Sequence, residues 1–440
     1  MLSDRLCLSR SRPLRYGAFF LYYVMQGVPA GFGLTAVTNY LAAQGLKPVQ
    51  IGAFAAAVGL PWTFQFVWGP VIDRFQASSM GRRRPWVVMS QAMAVAASLG
   101  LLLIRDPATQ LWATSLAFFA HSVVASIQDA SVDAMAIAII PEAERGRVNA
   151  FMRGGMLVGS GLGAASLSMM MNRYGFRAAA IAHSLALLAM MLATGFLREN
   201  PGDDLLPWSA ANRDRRTRDV GTRTTLGGIF AELFRGLLEP TGLRAFAAIA
   251  TVYLAASVYI RALNIELIQG RGWSDADLSL LTGTSGIMAA LVVVLVGGSL
   301  SDRFGHRRML MVAMSLIAGF LLFFNLASRW WSPRVVGAGL TFWYTFDPLL
   351  SVAAMPALMA ICRPGVEGSQ FTAYMAFVNF CDVVGSVVAG AAMRYFATPG
   401  IGLLCGLAVL AALLSIVGES RRRTTKMAAS AGDGAAGSVY

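Results

Sequence analysis

A polar signature occurs twice in an otherwise apolar chain. It reads Gly69-Pro70-Val71-Ile72-Asp73-Arg74-Phe75 in the first half and Gly298-Ser299-Leu300-Ser301-Asp302-Arg303-Phe304 in the second. Both copies have the pattern G-x-x-x-D-R-F, and each is followed by a cluster of arginines. The repeat predicts two equivalent halves that arose by duplication of one unit in the same orientation.

The sequence around the two copies is too apolar for a soluble protein. Of its 440 residues, 56% are hydrophobic and 13% are charged, and the mean hydropathy is +0.59. A bilayer is crossed by about 20 apolar residues in a helix, and a window of that length finds twelve spans. We therefore expect an all-α membrane protein with twelve transmembrane helices in two six-helix halves. The spans are 16–41, 50–72, 86–104, 111–140, 148–172, 177–197, 245–268, 278–300, 309–328, 334–361, 371–396 and 400–418.

One long polar interval separates span six from span seven and defines the expected domains. The N-terminal half covers 1–197, and a cytoplasmic central loop covers 198–244, with a short amphipathic helix at 229–238 lying at the membrane interface. The C-terminal half covers 245–420. The tail, 421–440, is rich in Arg and then in Ala, Gly and Ser, and we expect it to be disordered.

The charge of the chain indicates its orientation. Lys and Arg number 36 against 23 Asp and Glu, a surplus of 13 that in a soluble chain would suggest nucleic acid as a partner. Here the basic residues lie between apolar spans. With a cytoplasmic N-terminus, 27 of them fall on the cytoplasmic side, eight fall outside and Arg261 lies within a span. Basic residues favour the cytoplasmic side, so we expect both termini there, the bilayer as partner and no nucleic acid. The eight outer residues are Lys47, Arg105, Arg173, Arg177, Arg271, Arg329, Arg334 and Arg394.

Several kinds of site are not supported by the sequence. The four cysteines have no ligand spacing, so we expect no metal, and no motif indicates a cofactor. The histidines His121, His183 and His306 are far apart, and no nucleophile motif occurs, so an enzyme is the weakest class. The glycines Gly155, Gly159 and Gly163 do not follow a strand, and they predict close helix packing rather than a nucleotide loop.

The fourth span carries two carboxylates, Asp129 and Asp133. Each costs about 2.5–3.5 kcal/mol to insert, and their spacing of four places both on one helical face. Two close carboxylates in a low dielectric form a site that can take up a proton. Arg153 lies at matching depth in the fifth span, and we predict an ion pair between it and Asp133. The alternative is that Arg153 neutralises both carboxylates, which then serve only packing.

The loops after spans two and eight resemble those of the major facilitator superfamily, and the resemblance covers nearly the whole chain. Gln128-Asp129-Ala130-Ser131-Val132-Asp133-Ala134, Pro141-Glu142-Ala143-Glu144-Arg145-Gly146 and Arg153-Gly154 resemble its AmpG-like branch. That branch groups muropeptide permeases with acetyl-CoA transporters and siderophore importers. The first loop departs from the pattern by the insertion Gln76–Met80.

A gating role is expected for the repeated loops. Gly69 would let two helix ends approach closely, and Asp73 would accept hydrogen bonds from a neighbouring helix N-terminus, so that the cytoplasmic side is latched in one state. The alternative is that these residues only anchor the loops on the positive side. The candidate gating residues are Gly69, Asp73, Arg74, Arg82, Arg145, Asp302, Arg303 and Arg307.

The resemblance also implies that spans 1, 4, 7 and 10 line a central cavity. Arg261 is the expected anchor for an anionic substrate, because guanidinium binds carboxylate or phosphate in bidentate geometry; the alternative is a salt bridge to Glu266. We expect Asp382 to form a helix-to-helix hydrogen bond and His183 to be a satisfied packing residue. The candidate substrate-binding residues are Gln26, Asn39, His121, Gln128, Tyr253, Tyr259, Arg261, Asn264, Glu266, Tyr344 and Asp347.

These features predict a proton-coupled secondary active transporter that works by alternating access. We expect a monomeric permease in a bacterial inner membrane that imports a polar or anionic solute such as an anhydro-muropeptide. A siderophore or acetyl-CoA transporter of the same fold is the first alternative. A non-transporting receptor or assembly factor is the second, although such a protein could dispense with costly intramembrane charges.

Overall fold

The computed structural model describes residues 6–74, 78–141, 144–206, 240–292, 303–359, 361–362 and 367–436. Within these ranges the fold is helical, and one isolated β-bridge joins Cys7 to Arg198. Each of the twelve predicted spans falls largely on a helix. The predicted all-helical class is therefore confirmed.

The first six helices carry three irregular segments. Helix α1 contains a π-helical segment, Phe32–Val37, and α2 and α3 contain 3₁₀ segments, Leu60–Phe64 and Gly100–Leu103. Pro29 precedes the π segment and Pro61 lies in the first 3₁₀ segment, so both prolines coincide with irregular backbone. The bounds are α1 Arg12–Ala43, α2 Pro48–Gly59, Leu60–Phe64 and Gln65–Arg74, α3 Arg84–Leu99 and Gly100–Leu103, α4 Leu111–Ile139, α5 Arg145–Tyr174 and α6 Phe176–Gly195.

The remaining helices follow the central interval. They are α7 Pro240–Gln269, α8 Asp275–Val292, α9 His306–Leu326, α10 Pro333–Met359, α11 Glu367–Ala392 and α12 Thr398–Ala436. In the described part of the chain, ten helices are long and apolar enough to cross a membrane, and α8 and α10 are not among those ten. We call the end of the bundle at which α1 begins the proximal end, and the end at which α1 turns into α2 the distal end.

Close packing of α1 on α5 forms the centre of the N-terminal half. Gly159 lies against the backbone of Val24 and Gly27, and Gly163 lies against the backbone of Val28. A side chain at either glycine would collide with backbone, which cannot move aside as a flexible side chain can. The predicted small-residue contact on α5 is confirmed.

The two halves meet from the middle of the bundle to its distal end. Gly161 of α5 and Gly283 of α8 touch through their backbones, and Gly52 of α2 lies against the Ser386 carbonyl of α11. Asn39 Nδ2 donates to Ser279 Oγ at 2.9 Å, which ties α1 to α8. The distal side of the described bundle is therefore closed.

The structure differs from the predicted domain limits at two places. Residues 198–206 pack on the N-terminal half, since Leu8 N donates to Arg198 O at 2.9 Å and Arg84 Nη1 donates to Asp204 O at 2.9 Å. Helix α12 continues to Ala436, through most of the tail for which we expected disorder, because Arg, Lys, Met and Ala are strong helix formers. The predicted amphipathic helix at 229–238 lies outside the described residues.

The seam between α5 and α8 yields a prediction about conformation. Gly283→Leu should disfavour the closed distal seam by about 1–3 kcal/mol, because the new side chain meets the Gly161 carbonyl. Labelling of an introduced Asn39→Cys by a membrane-impermeant thiol reagent, in a background without the native cysteines, should become faster. Asn39 is 2% exposed, so labelling reports opening.

Gly286→Leu is the matched control, because the structure describes no atom within 4 Å of a Cβ at Gly286. Labelling in this variant should match the parent protein. Equal labelling rates for the two leucine variants would contradict the assigned seam.

Candidate functional site

Two carboxylates form the polar centre of the N-terminal half. Helix α4 places Asp129 and Asp133 one turn apart, and Asp129 is buried at 9% exposure. Side chains from α1 and α2 surround them. We call Tyr23, Gln26, Gln65, Asp129 and Asp133 the carboxylate cluster.

Each carboxylate is held by a neutral donor on a neighbouring helix. The Tyr23 hydroxyl donates to Asp133 Oδ1 at 2.5 Å, and Gln65 Nε2 donates to Asp129 Oδ2. Gln65 is the first residue of α2 after the 3₁₀ segment Leu60–Phe64, so the irregular backbone fixes the face on which it lies. Trp68 Nε1 donates to Ser126 Oγ at 3.0 Å and holds the same two helices together.

The cluster contains no compensating positive charge. Among the described residues, no basic side chain forms an ion pair with Asp129 or Asp133. Gln26 lies beside Asp129, and its side-chain amide is buried there. The cluster therefore combines two acids with neutral amide and hydroxyl groups, a composition suited to binding a proton or a polar group.

The predicted ion pair between Asp133 and Arg153 is wrong. Arg153 is exposed and its Nη2 donates to Ser351 Oγ of α10 at 3.0 Å, across the two halves. On α5, Arg153 lies two residues before Gly155, about 200° around a helix. Because the glycine face packs on α1, Arg153 points away from α1 and from the carboxylate cluster.

A second polar centre lies in the C-terminal half. Arg261 Nη2 of α7 bonds Asp382 Oδ2 of α11 at 2.7 Å, and Ser257 Oγ donates to Asp382 Oδ1 at 2.7 Å. The Arg261 side chain is 13% exposed and the Asp382 side chain 43%. We call the ion pair of Arg261 and Asp382 the arginine pair, and Ser257 supports it by its hydrogen bond to Asp382. The helix-to-helix hydrogen bond predicted for Asp382 is confirmed.

A narrow cleft between the halves reaches the arginine pair. Arg261 and Asn264 line it from α7, Thr38 and Asn39 from α1, and Ser386 from α11. Asn264 Nδ2 donates to the Tyr344 hydroxyl of α10 at 3.3 Å. The structure thus brings the predicted residues Asn39, Arg261, Asn264 and Tyr344 into one region.

The alternative salt bridge between Arg261 and Glu266 is not formed. Glu266 Oε1 instead lies 3.9 Å from Arg271 Nε at the distal end of α7. Glu266 follows Arg261 by five positions, so the two lie about 140° apart on the helix. Glu266 is therefore removed from the cleft.

The structure places His121 and Tyr259 in apolar cores rather than on the cleft. Tyr259 is fully buried against Trp343, with ring centroids 5.6 Å apart. His121 and His183, which we expected to be far apart, have ring centroids 5.5 Å apart. Neither ring nitrogen of His183 has a hydrogen-bond partner among the described residues, so the expectation that it is satisfied is also wrong.

The structure describes the side chains of some of the remaining predicted residues but not of others. Gln128 is buried and Tyr253 is half-buried, whereas Arg82, Arg303 and Arg307 are exposed. No described atom lies within 4 Å of a Cβ at Gly69, so the described residues show no close approach there. The side chains of Asp73, Arg74, Arg145 and Asp347 lie outside the described part of the chain, as does Asp302.

Two functional candidates, Tyr23 and Gln65, were missed from the sequence, and so was the partner of Asp382. Tyr23 precedes Gln26 by three residues and so shares its helical face, a spacing that could have identified it. Gln65 is an amide within an apolar span, which is a signal for polar contact between helices. No pattern within α7 or α11 indicates that Asp382 is the partner of Arg261.

Comparison with known proteins identifies relatives over most of the chain. The sequence profile of the Major Facilitator Superfamily matches residues 16–267. The chain is 25% identical over 383 residues to a protein of Escherichia coli (strain K12) named "Anhydromuropeptide permease", covering 84% of this chain and 72% of that protein. It is also 25% identical over 287 residues to an uncharacterized protein of Haemophilus influenzae (strain Rd), covering 62% and 63%.

The fold has a counterpart among solved structures. A crystal structure of a POT family transporter in complex with a thioalcohol-conjugated peptide aligns with a TM-score of 0.69. The alignment covers 96% of this chain and 99% of the other at 10% identity. At this identity the likeness concerns the fold alone.

The arginine pair yields a prediction about stability. Asp382→Asn should lower the melting temperature, because it leaves the largely buried Arg261 without a counter-ion. The loss should be smaller than the ~3–5 kcal/mol of fully buried pairs, since the Asp382 side chain is 43% exposed. Arg261→Gln combined with Asp382→Asn should recover part of the loss in thermal unfolding of the purified protein. A stability loss in the double variant that exceeds the sum of the losses in the two single variants would contradict the pairing.

Proposed function

The chain belongs to the Major Facilitator Superfamily and is a membrane transporter, and from this we propose that it imports a polar or anionic solute by proton-coupled alternating access. Within the membrane we propose twelve spans, with both termini in the cytoplasm and the proximal end of the bundle facing it. The distribution of Lys and Arg supports this orientation, with 27 on the proximal side and eight on the distal side. With the distal seam closed, the described conformation then faces inward.

The carboxylate cluster is the observation that carries proton coupling. Burying two acids without a cation is costly, and a proton shared by the pair removes much of that cost. Protonation would also change the bonds from Tyr23 and Gln65, because a carboxylic acid donates where a carboxylate only accepts. Protonation would thereby affect the positions of α1 and α2 through hydrogen bonds already present in the structure.

The arginine pair supports an anionic substrate. Arg261 lies on the cleft and already holds a carboxylate, that of Asp382. A substrate carboxylate or phosphate has the same chemistry and would compete with Asp382 for the guanidinium. Asn39, Asn264 and Tyr344 would supply neutral polar contacts around it.

We propose an anhydro-muropeptide as the substrate, in a bacterial inner membrane. The name of the Escherichia coli relative supports this choice, and a sugar-peptide with carboxylates suits polar residues beside an arginine. A siderophore or acetyl-CoA is the alternative, because each also offers anionic oxygens to Arg261. We propose a monomer as the working unit, gated at the proximal side by the loops that contain Asp73 and Asp302.

Proton coupling predicts the effect of removing one acid. In vesicles, uptake should rise as the pH on the distal side falls, because a pH unit can drive about tenfold accumulation per proton. Asp129→Asn should abolish accumulation driven by the gradient, since an amide cannot release a proton. Exchange of labelled for unlabelled solute without a gradient should persist.

Asp277→Asn is the matched control, because Asp277 is an exposed acid in the first turn of α8. It should retain accumulation. Uptake that is unchanged both in Asp129→Asn and after collapse of the pH gradient would exclude proton coupling through this cluster.

Uptake assays distinguish the substrates. Cells that lack their own importers and express this protein should accumulate labelled anhydro-muropeptide in preference to a ferric siderophore or acetyl-CoA. The same solute should raise the melting temperature of the purified protein, and Arg261→Ala should abolish that rise by removing the anion contact. A stabilisation that survives in Arg261→Ala would exclude the anchor, and uptake of none of the solutes would exclude the substrate class.

A further inference from the structure

The C-terminal half carries an aromatic groove on its surface, separate from the cleft between the halves. The groove lies between α9 and α10, has a volume of about 480 Å³ and is lined chiefly by Gly319, Phe320, Phe323, Phe324 and Phe342. This size lies within the ~300–1,000 Å³ of ligand pockets. Because α9 is a membrane helix, the groove lies at the depth of the lipid chains.

Stacked phenylalanines form the walls of the groove. Phe320 stacks on Phe324 with ring centroids 4.9 Å apart and on Phe342 at 5.2 Å. Phe323 is 76% exposed beside them. No described atom lies within 4 Å of a Cβ at Gly319, so the floor is open.

The distal end of the groove leads to tryptophans and arginines. The Trp331 ring packs on Phe324 at 4.8 Å, and its Nε1 donates to Phe324 O at 2.9 Å. The neighbouring Trp330 is 61% exposed, and the Arg329 guanidinium lies 3.8 Å from its ring centroid. Tryptophan with arginine at a helix end is typical of the membrane interface.

Arg329 and Arg334 offer positive charge at this end. Both are exposed, and neither forms an ion pair with a described residue. Arg334 precedes Phe342 by eight residues on α10, about 12 Å along a helix. The third arginine nearby, Arg271, stacks on Trp331 at 4.9 Å but lies 3.9 Å from Glu266, so its charge is partly compensated.

These three arginines are a marked fraction of the eight basic residues assigned to the distal side. Positive charge is disfavoured on the outer side of a membrane protein, so its concentration at the mouth of one apolar groove calls for a ligand of opposite charge. Such a ligand needs an anionic head beside Arg329 and Arg334 and an apolar chain that follows the phenylalanines.

We propose that this groove binds an anionic phospholipid from the distal leaflet. The phosphate contacts Arg329 and Arg334, the glycerol region lies on Trp330, and one acyl chain lies over Gly319 between the rings. The solutes carried through the cleft are polar and do not suit four phenylalanines. The site therefore stabilises the C-terminal half in the bilayer and is independent of the transported substrate.

Native mass spectrometry of the full-length protein with phosphatidylglycerol and phosphatidylcholine tests the proposal. Phosphatidylglycerol should remain bound at a higher activation energy than phosphatidylcholine does, and it should raise the melting temperature of the protein. Arg329→Gln with Arg334→Gln should weaken its binding by about fivefold per arginine, as for basic residues at an anionic membrane surface. Arg105→Gln with Arg177→Gln, two distal arginines of the N-terminal half, is the control and should leave binding unchanged.

A second variant tests the proposed acyl-chain site without altering the charge of the protein. Gly319→Leu fills the open floor and should reduce retention of phosphatidylglycerol, while far-ultraviolet circular dichroism confirms that the helices are intact. Equal retention of the two lipids would overturn the anionic site. Equal loss in the two double arginine variants would show a general charge effect and also overturn it.

Discussion

The contact of α1 with α5 through glycine determines where the polar groups of the N-terminal half lie. With Gly27 and Gly159 at the crossing, the two backbones touch. That distance leaves α1 with Tyr23 directed at Asp133 on α4 and Gln26 beside Asp129. The same contact commits the glycine face of α5 to α1, so Arg153 is turned toward α10 and cannot reach the acids it was expected to neutralise. Among the described residues, the lack of a cation beside these two acids is thus a consequence of backbone packing.

Features that belong to a single helix could be predicted from the sequence. The helices, the glycine face of α5 and the shared face of Asp129 and Asp133 all follow from hydropathy and a period of 3.6 residues. Contacts between helices could not, because periodicity does not specify how neighbouring helices are rotated. The predicted ion pair between Asp133 and Arg153 was wrong for this reason, and the ion pair between Arg261 and Asp382 was not predicted. His121 and His183, 62 positions apart, also meet through packing that no local pattern encodes.

The two polar centres differ in how their charge is balanced. The carboxylate cluster contains acids with only neutral donors, Tyr23 and Gln65, and it gains most from a proton. The arginine pair is already neutral, and in the proposed mechanism an anion competes with Asp382 for the Arg261 guanidinium. A proton in the first centre and an anion in the second leave the protein with little net change in buried charge. This balance favours loading both together over loading either alone, because an uncompensated charge in a membrane interior is costly.

Helix α2 gives the two centres a shared structural element. Gln65 bonds Asp129 immediately after the 3₁₀ segment Leu60–Phe64. Just before that segment, a Cβ on Gly59 would lie 4.0 Å from Asp382 Oδ2. Asn379 of α11 also donates to Trp62 O within the segment at 3.4 Å. A 3₁₀ stretch within a helix is a common hinge. One end of this segment lies beside the carboxylate cluster, and its other end lies beside Asp382, the counter-ion of Arg261. Release of Asp382 from Arg261 would therefore alter the surroundings of the segment that positions Gln65, which would connect the proposed anion binding to the proposed proton site.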